Sequence, residues 1–188
     1  MRHHIQESID TKKAMLDDEE ILSSLAKAIN LIADCFERGS KILIAGNGGS
    51  AADAQHLAAE FVGRFKHERR GYPAIALTTD TSIITAWSND YHFDTIFERQ
   101  VEALGSEGDV LVVFSTSGDS KNILKAIEKA HIHGLKILAL LGCEGGKSKS
   151  MAHVEIIVPS NNTPRIQEAH VMLLHIIAEA VEARLVLK

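Results

Sequence analysis

The side chains best placed for chemistry lie within Lys41–Glu60. Lys41–Ala45 is a short apolar run of the kind that forms a buried parallel strand. Gly46, Gly48 and Gly49 then allow a sharp turn with backbone close to a ligand. Ser50 reads as the N-cap of an Ala-rich helix, and the start of that helix attracts anions through its unpaired N–H groups and dipole. His56 and Glu60 follow at i and i+4, on one helical face. On a surface helix such a pair is a hydrogen bond worth a few tenths of a kcal/mol. On a packed helix beside an anion-binding turn, it is an acid/base pair.

A second turn, Ser115-Thr116-Ser117-Gly118-Asp119-Ser120, follows the apolar run Asp109–Phe114 and precedes a helix. One hydroxyl would cap that helix. The hydroxyls of Ser115, Thr116, Ser117 and Ser120 together suit a phosphate monoester at a helix N-terminus. Gly46–Ala51 also fits the loose dinucleotide fingerprint G-x-G-x-x-G/A. That fingerprint wants an acidic residue about 20 positions on, and none stands there; no Walker A sequence is present either. A smaller phosphorylated ligand is the better expectation.

The C-terminal segment carries Arg165, Gln167, Glu168, His170 and His175 among apolar residues. A histidine in such a setting, His175 included, is first a core residue with a satisfied ring. Gln167 and His175 stand about 80° apart around a helix and roughly 12 Å along it. A metal site of His56, Glu60, Gln167 and His175 therefore needs the last two to lean together. Three N/O ligands of this kind can hold Zn²⁺ with one position open.

These residues need elements to carry them. The first helix spans about 1–16 and the second runs from Asp17-Asp18 to Gly39. Strands are expected at Lys41–Ala45, Ala74–Thr78, Asp109–Phe114, Lys136–Leu141 and Val154–Val158. Helices follow at Asp94–Leu104, Ile123–His133 and Arg165–Leu187, with a capping cluster, Thr79–Ser82, before Ile83–Trp87. Arg64–Arg70 reads as a solvated basic end and Gly142–Ser150 as a flexible loop. The alternation predicts an α/β fold, a doubly wound, flavodoxin-like sheet of five parallel strands flanked by helices. One domain spans 1–188, with an N-terminal helical extension over about 1–38.

Composition narrows the class. The chain has 188 residues, 45% hydrophobic, with a formal charge of −5 and ten histidines. An acidic balance argues against a nucleic-acid partner, and no apolar run is long enough to span a bilayer. Two cysteines, Cys35 and Cys143, form no disulfide framework, and the polar N-terminus has no signal-peptide pattern; both point to the cytoplasm.

Gly46-Asn47-Gly48-Gly49-Ser50, Asp53, His56, Glu60, Gly63-Arg64, Ser115-Thr116-Ser117-Gly118-x-Ser120 and Arg165-Ile166-Gln167-Glu168-x-His170 resemble the phosphoheptose isomerases of the sugar isomerase (SIS) superfamily. The resemblance runs from the second helix to the C-terminus. It implies conversion of sedoheptulose 7-phosphate to D-glycero-D-manno-heptose 7-phosphate for lipopolysaccharide or other surface glycans, by a cytoplasmic homotetramer with sites between subunits. It implies Glu60 and His175 as the acid/base pair and one Zn²⁺ held by His56, Glu60, Gln167 and His175. It gives the phosphate to Ser115, Thr116, Ser117 and Ser120. Asn47, Gly48, Gly49, Ser50, Arg64, Asn89, Asp90, Glu60 and Gln167 would serve the rest of the substrate or support the site. Non-catalytic SIS proteins that bind the replication initiator share the two turns. Such a binding module has no need of Glu60 and His175.

Overall fold

The computed structural model describes residues 1–186. The order is α1 (Arg2–Leu16), α2 (Glu19–Glu37), β1 (Ile42–Gly46), α3 (Gly49–Val62), β2 (Ala74–Ala76), α4 (Thr81–Asp90), α5 (Ile96–Leu104), β3 (Val110–Ser115), α6 (Lys121–Ile132), β4 (Lys136–Leu141), β5 (Val154–Ile157) and α7 (Thr163–Val186). Short 3₁₀ turns precede α5 and follow β4. The strands pair in parallel in the order β2-β1-β3-β4-β5. The expected doubly wound sheet is present. The C-terminal helix reaches Val186, and Leu187, assigned to it from sequence, lies outside the described residues.

The central strands β1 and β3 are buried throughout because both their faces are covered. Ile42 and Ile44 of β1, with Val110, Val112 and Phe114 of β3, face a layer of α2, α3 and α7. Leu43, Ala45, Leu111 and Val113 face α5 and α6. α2 begins where Asp18 accepts from the N–H groups of Glu20 and Ile21, at 2.9 and 3.1 Å. It ends before Gly39, whose φ of 77° leaves the helical region.

Three expectations change. α3 starts at Gly49 with Gly48 as its N-cap, and Ser50 is buried inside the first turn. A φ of 58° at Gly48 lets the chain enter the helix sooner than a serine cap would. Gly142–Ser150 is a packed turn: Ser148 donates from N and Oγ to Gly118 O, at 2.9 and 2.7 Å. The basic stretch Arg64–Arg70 is solvated only in part, because the Arg69 side chain is 4% exposed and paired with Glu182.

Candidate active site

The chain reverses its winding direction between β1 and β3, and in open α/β sheets ligands bind at that switch point, outside the carboxyl ends of the strands. Both turns singled out in the sequence leave the sheet there. The β1 turn feeds α3, and the β3 turn feeds α6. Asn47 and Asn122 join them by reciprocal amide bonds of 2.8 and 2.9 Å. Asn122 is 2% exposed and was not singled out in the sequence, where nothing but its place two residues after Ser120 marks it.

The serine turn is shaped from within. Ser115 Oγ accepts from Gly118 N at 3.1 Å, and Ser117 Oγ accepts from Asp119 N at 3.2 Å. Asp119 Oδ1 accepts from Lys147 N at 3.0 Å, so the turn after β4 forms one wall. Ser120 stands at the N-cap of α6, yet its hydroxyl makes no capping bond. It is therefore not committed to the helix.

The acid/base groups lie further along α3 and α7. His56 Nε2 is 3.0 Å from Glu60 Oε1 and 3.2 Å from His175 Nε2. The two imidazoles meet edge to face, with centroids 4.8 Å apart. A donor atom from each of the three side chains lies within 4.8 Å of the others. His56 Nε2 carries at most one proton, yet it faces a carboxylate oxygen and a second ring nitrogen. Three lone-pair donors converging on one point fit a divalent cation better than a set of neutral hydrogen bonds. The trio is a possible metal site, with His56 and Glu60 only partly exposed.

Gln167 packs at the start of α3. A Cβ placed on Gly49 would stand 2.3 Å from Gln167 Nε2, so the amide rests against the start of α3. Only glycine leaves room for it at position 49. The core histidine of α7 is His170. It is fully buried, with Nε2 3.2 Å from Leu141 O, and burial, opposed by that bond, pushes its pKa down to about 4. His175 is half-buried, like the other two members of the trio.

Asp53 sits one turn before His56, 7% exposed, with Oδ2 unpartnered among the described residues. Burial pushes its pKa up to about 6, with His56 pulling the other way. Arg64 is exposed and pairs with Glu68 at 2.9 Å. Asn89 donates to Asp90 at 2.9 Å, and both are exposed at the end of α4, a helix that buries none of its residues.

Comparison with known proteins agrees with this architecture. The SIS domain family matches residues 4–142. A phosphoheptose isomerase from Geobacter sp. (strain M21) is 56% identical over 169 residues, 90% of this chain and 88% of that relative. The structure of phosphoheptose isomerase GmhA from Neisseria gonorrhoeae superposes with a TM-score of 0.90 at 42% identity, covering 97% of this chain and 96% of that one. A phosphoheptose isomerase from Francisella tularensis gives 0.92 at 40% identity, with 96% and 95% covered. With identity this high over nearly the full length, the chain belongs to the phosphoheptose isomerase family of SIS-domain proteins.

Proposed function

We propose that this protein is an aldose–ketose isomerase that converts sedoheptulose 7-phosphate to D-glycero-D-manno-heptose 7-phosphate. The observation that carries the reading is the meeting of Glu60 and His175 from two helices, beside two turns that suit an anion. A replication-initiator-binding SIS protein would have no use for that meeting. The product serves heptose supply for lipopolysaccharide or other surface glycans.

The reaction moves one hydrogen between adjacent carbons. The serine turn, through Ser115, Thr116, Ser117 and Ser120, holds the 7-phosphate of the open-chain sugar. Asn47, Gly48, Gly49, Ser50 and Gln167 serve the chain of hydroxyls, with Arg64, Asn89 and Asp90 as further contacts to the sugar or support for the site. Glu60 takes a proton from C1 while O2 gains one from His175, giving the enediol. The proton on Glu60 goes to C2 and O1 returns one to His175, which leaves an aldehyde at C1. Protons taken and returned balance, and both groups end as they began.

Zn²⁺ suits the trio His56, Glu60 and His175, with Gln167 as fourth donor once its amide leaves Gly49. When bound, the ion supplies charge stabilisation to the carbonyl and hydroxyl oxygens of the substrate. Protein purified without chelator or affinity tag is expected to carry one zinc per chain and to lose activity on chelation. Activity that survives complete metal removal would leave these residues as acid/base and orienting groups only.

The whole chain acts as one SIS domain with a helical arm, and it assembles as a homotetramer in the cytoplasm. The support is apolar surface: Ile9, Leu16, Leu22 and Ile176 remain exposed along a groove between α1, α2 and α7. Among the described residues no helix is long and apolar enough to cross a membrane. Light scattering is expected to give four chains per particle at micromolar concentration; a stable monomer would remove the assembly claim.

The deciding assay is purified protein with sedoheptulose 7-phosphate in deuterated water. Turnover with deuterium entering the sugar at C1 or C2 is expected. Tight binding without isomerisation or exchange would point to the regulatory alternative.

A further inference from the structure

The segment between α3 and β2 is built around one buried ion pair. Glu182 stands on α7, two turns beyond His175, and is fully buried. Its carboxylate accepts from the N–H groups of Phe65 at 2.9 Å, Lys66 at 2.6 Å and His67 at 3.0 Å, and from Arg69 Nε at 2.8 Å. Arg69 spends its other donors on carbonyls. Nη1 reaches Phe61 O at 3.0 Å, Gly63 O at 3.2 Å and Arg70 O at 3.0 Å, and Nη2 reaches Glu60 O at 2.8 Å. The guanidinium also lies 4.3 Å from the Tyr72 ring centroid. Several of these carbonyls belong to the end of α3, which a helix leaves without internal partners. Burial raises the Glu182 pKa, but its four donors outweigh that and hold it at about 2, so the pair stays ionised.

This clasp meets the reacting groups twice. Arg69 holds the Glu60 carbonyl, and so fixes the last turn of α3, from which the Glu60 carboxylate projects. Glu182 holds the Phe65 N–H, and the Phe65 ring stands 5.8 Å from the His175 ring. Apolar contact alone would join two helices without the desolvation cost of a buried ion pair. A pair that is fully hydrogen-bonded to backbone adds something apolar packing does not: a single register.

We propose that Arg69 and Glu182 are positioning residues for isomerisation. They lock α3 against α7 in the register at which Glu60 and His175 address the same two carbons. The inference rests on the assignment of Glu60 and His175 as the acid/base pair.

The test compares Glu182→Gln and Arg69→Lys with wild type, per folded molecule as judged by size-exclusion profile and cooperative melting. Gln keeps the shape of Glu182 but sets an amide donor against backbone N–H groups. Lys keeps the charge at position 69 but cannot reach Glu182 and four carbonyls at once. Each variant is expected to lose tenfold or more in kcat, with KM for the heptose phosphate within twofold, because the serine turn is untouched. Lys66→Ala removes the exposed Lys66–Glu179 pair from the same segment and is expected to change neither constant. If Glu182→Gln does not fold, Arg69→Lys decides. Wild-type kcat in the folded variants, a rise in KM alone, or an equal loss in Lys66→Ala would overturn the positioning role. Glu60→Gln is run beside them. If that variant keeps full turnover, the acid/base assignment fails; if it is dead while the clasp variants are fully active, only the positioning role fails.

Discussion

Glu60→Gln and His175→Gln are each expected to lower turnover by about 10²–10⁴, the usual cost of removing a general acid or base. Both changes keep side-chain size close to the original, and both sites are partly exposed, so the fold has little reason to respond. Each variant is expected to melt near wild type and still to bind the sugar phosphate, whose anchor lies on another loop. The double variant is expected to lose about as much as the worse single one, because the two groups serve one proton transfer and fail as a unit. His56 links the pair at 3.0 and 3.2 Å, so either single change also alters what the other residue faces. Steady-state rates and C1 exchange on the same preparations give the answer. Either variant retaining more than about a tenth of wild-type turnover would move that residue out of the chemistry.

The sheet was legible in the sequence because burial on both faces leaves unbroken apolar runs, as in Val110–Phe114 and Ile137–Leu141. The two turns were legible because glycines and hydroxyls must sit where backbone approaches a ligand. What the sequence hid is pairing between distant segments. Asn47 and Asn122 are 75 residues apart, and Arg69 and Glu182 are 113 apart. No local period marks such partners. Arg69 sat unnoticed in a run of charges that looked like a solvated end. The phase of the C-terminal helix, by contrast, is legible. His170 shares a helical face with Ile166, Leu173, Leu174 and Ile177, all buried, whereas His175 lies off that face. Helical phase alone would have made His170, not His175, the core histidine.

Gly118→Ala is expected to cost about 10²–10³ in kcat/KM, since even a 1 Å misplacement of a binding group costs about a hundredfold. Gly118 has φ of 70°, where an L-residue pays roughly 1–2 kcal/mol. The larger effect is steric. An added Cβ would stand 1.9 Å from Gly145 O and 2.5 Å from Gly145 C, both backbone atoms that cannot rotate away. The opposing turn cannot yield freely either, since a Cβ on Gly146 would lie 2.3 Å from Ser117 O. The two turns interlock, so relief requires moving Ser117 and Ser120, the groups assigned to the phosphate. Ser117→Ala adds no atom to the turn; it gives up the 3.2 Å bond from Asp119 N and removes one charge-assisted hydrogen bond to the phosphate worth about 1.5–3 kcal/mol. It is therefore expected to raise KM by roughly tenfold or more. The graded pair separates one lost contact from a displaced cradle, and protection by inorganic phosphate should weaken in the same order. A wild-type KM in Gly118→Ala would mean that the phosphate is held somewhere other than the serine turn.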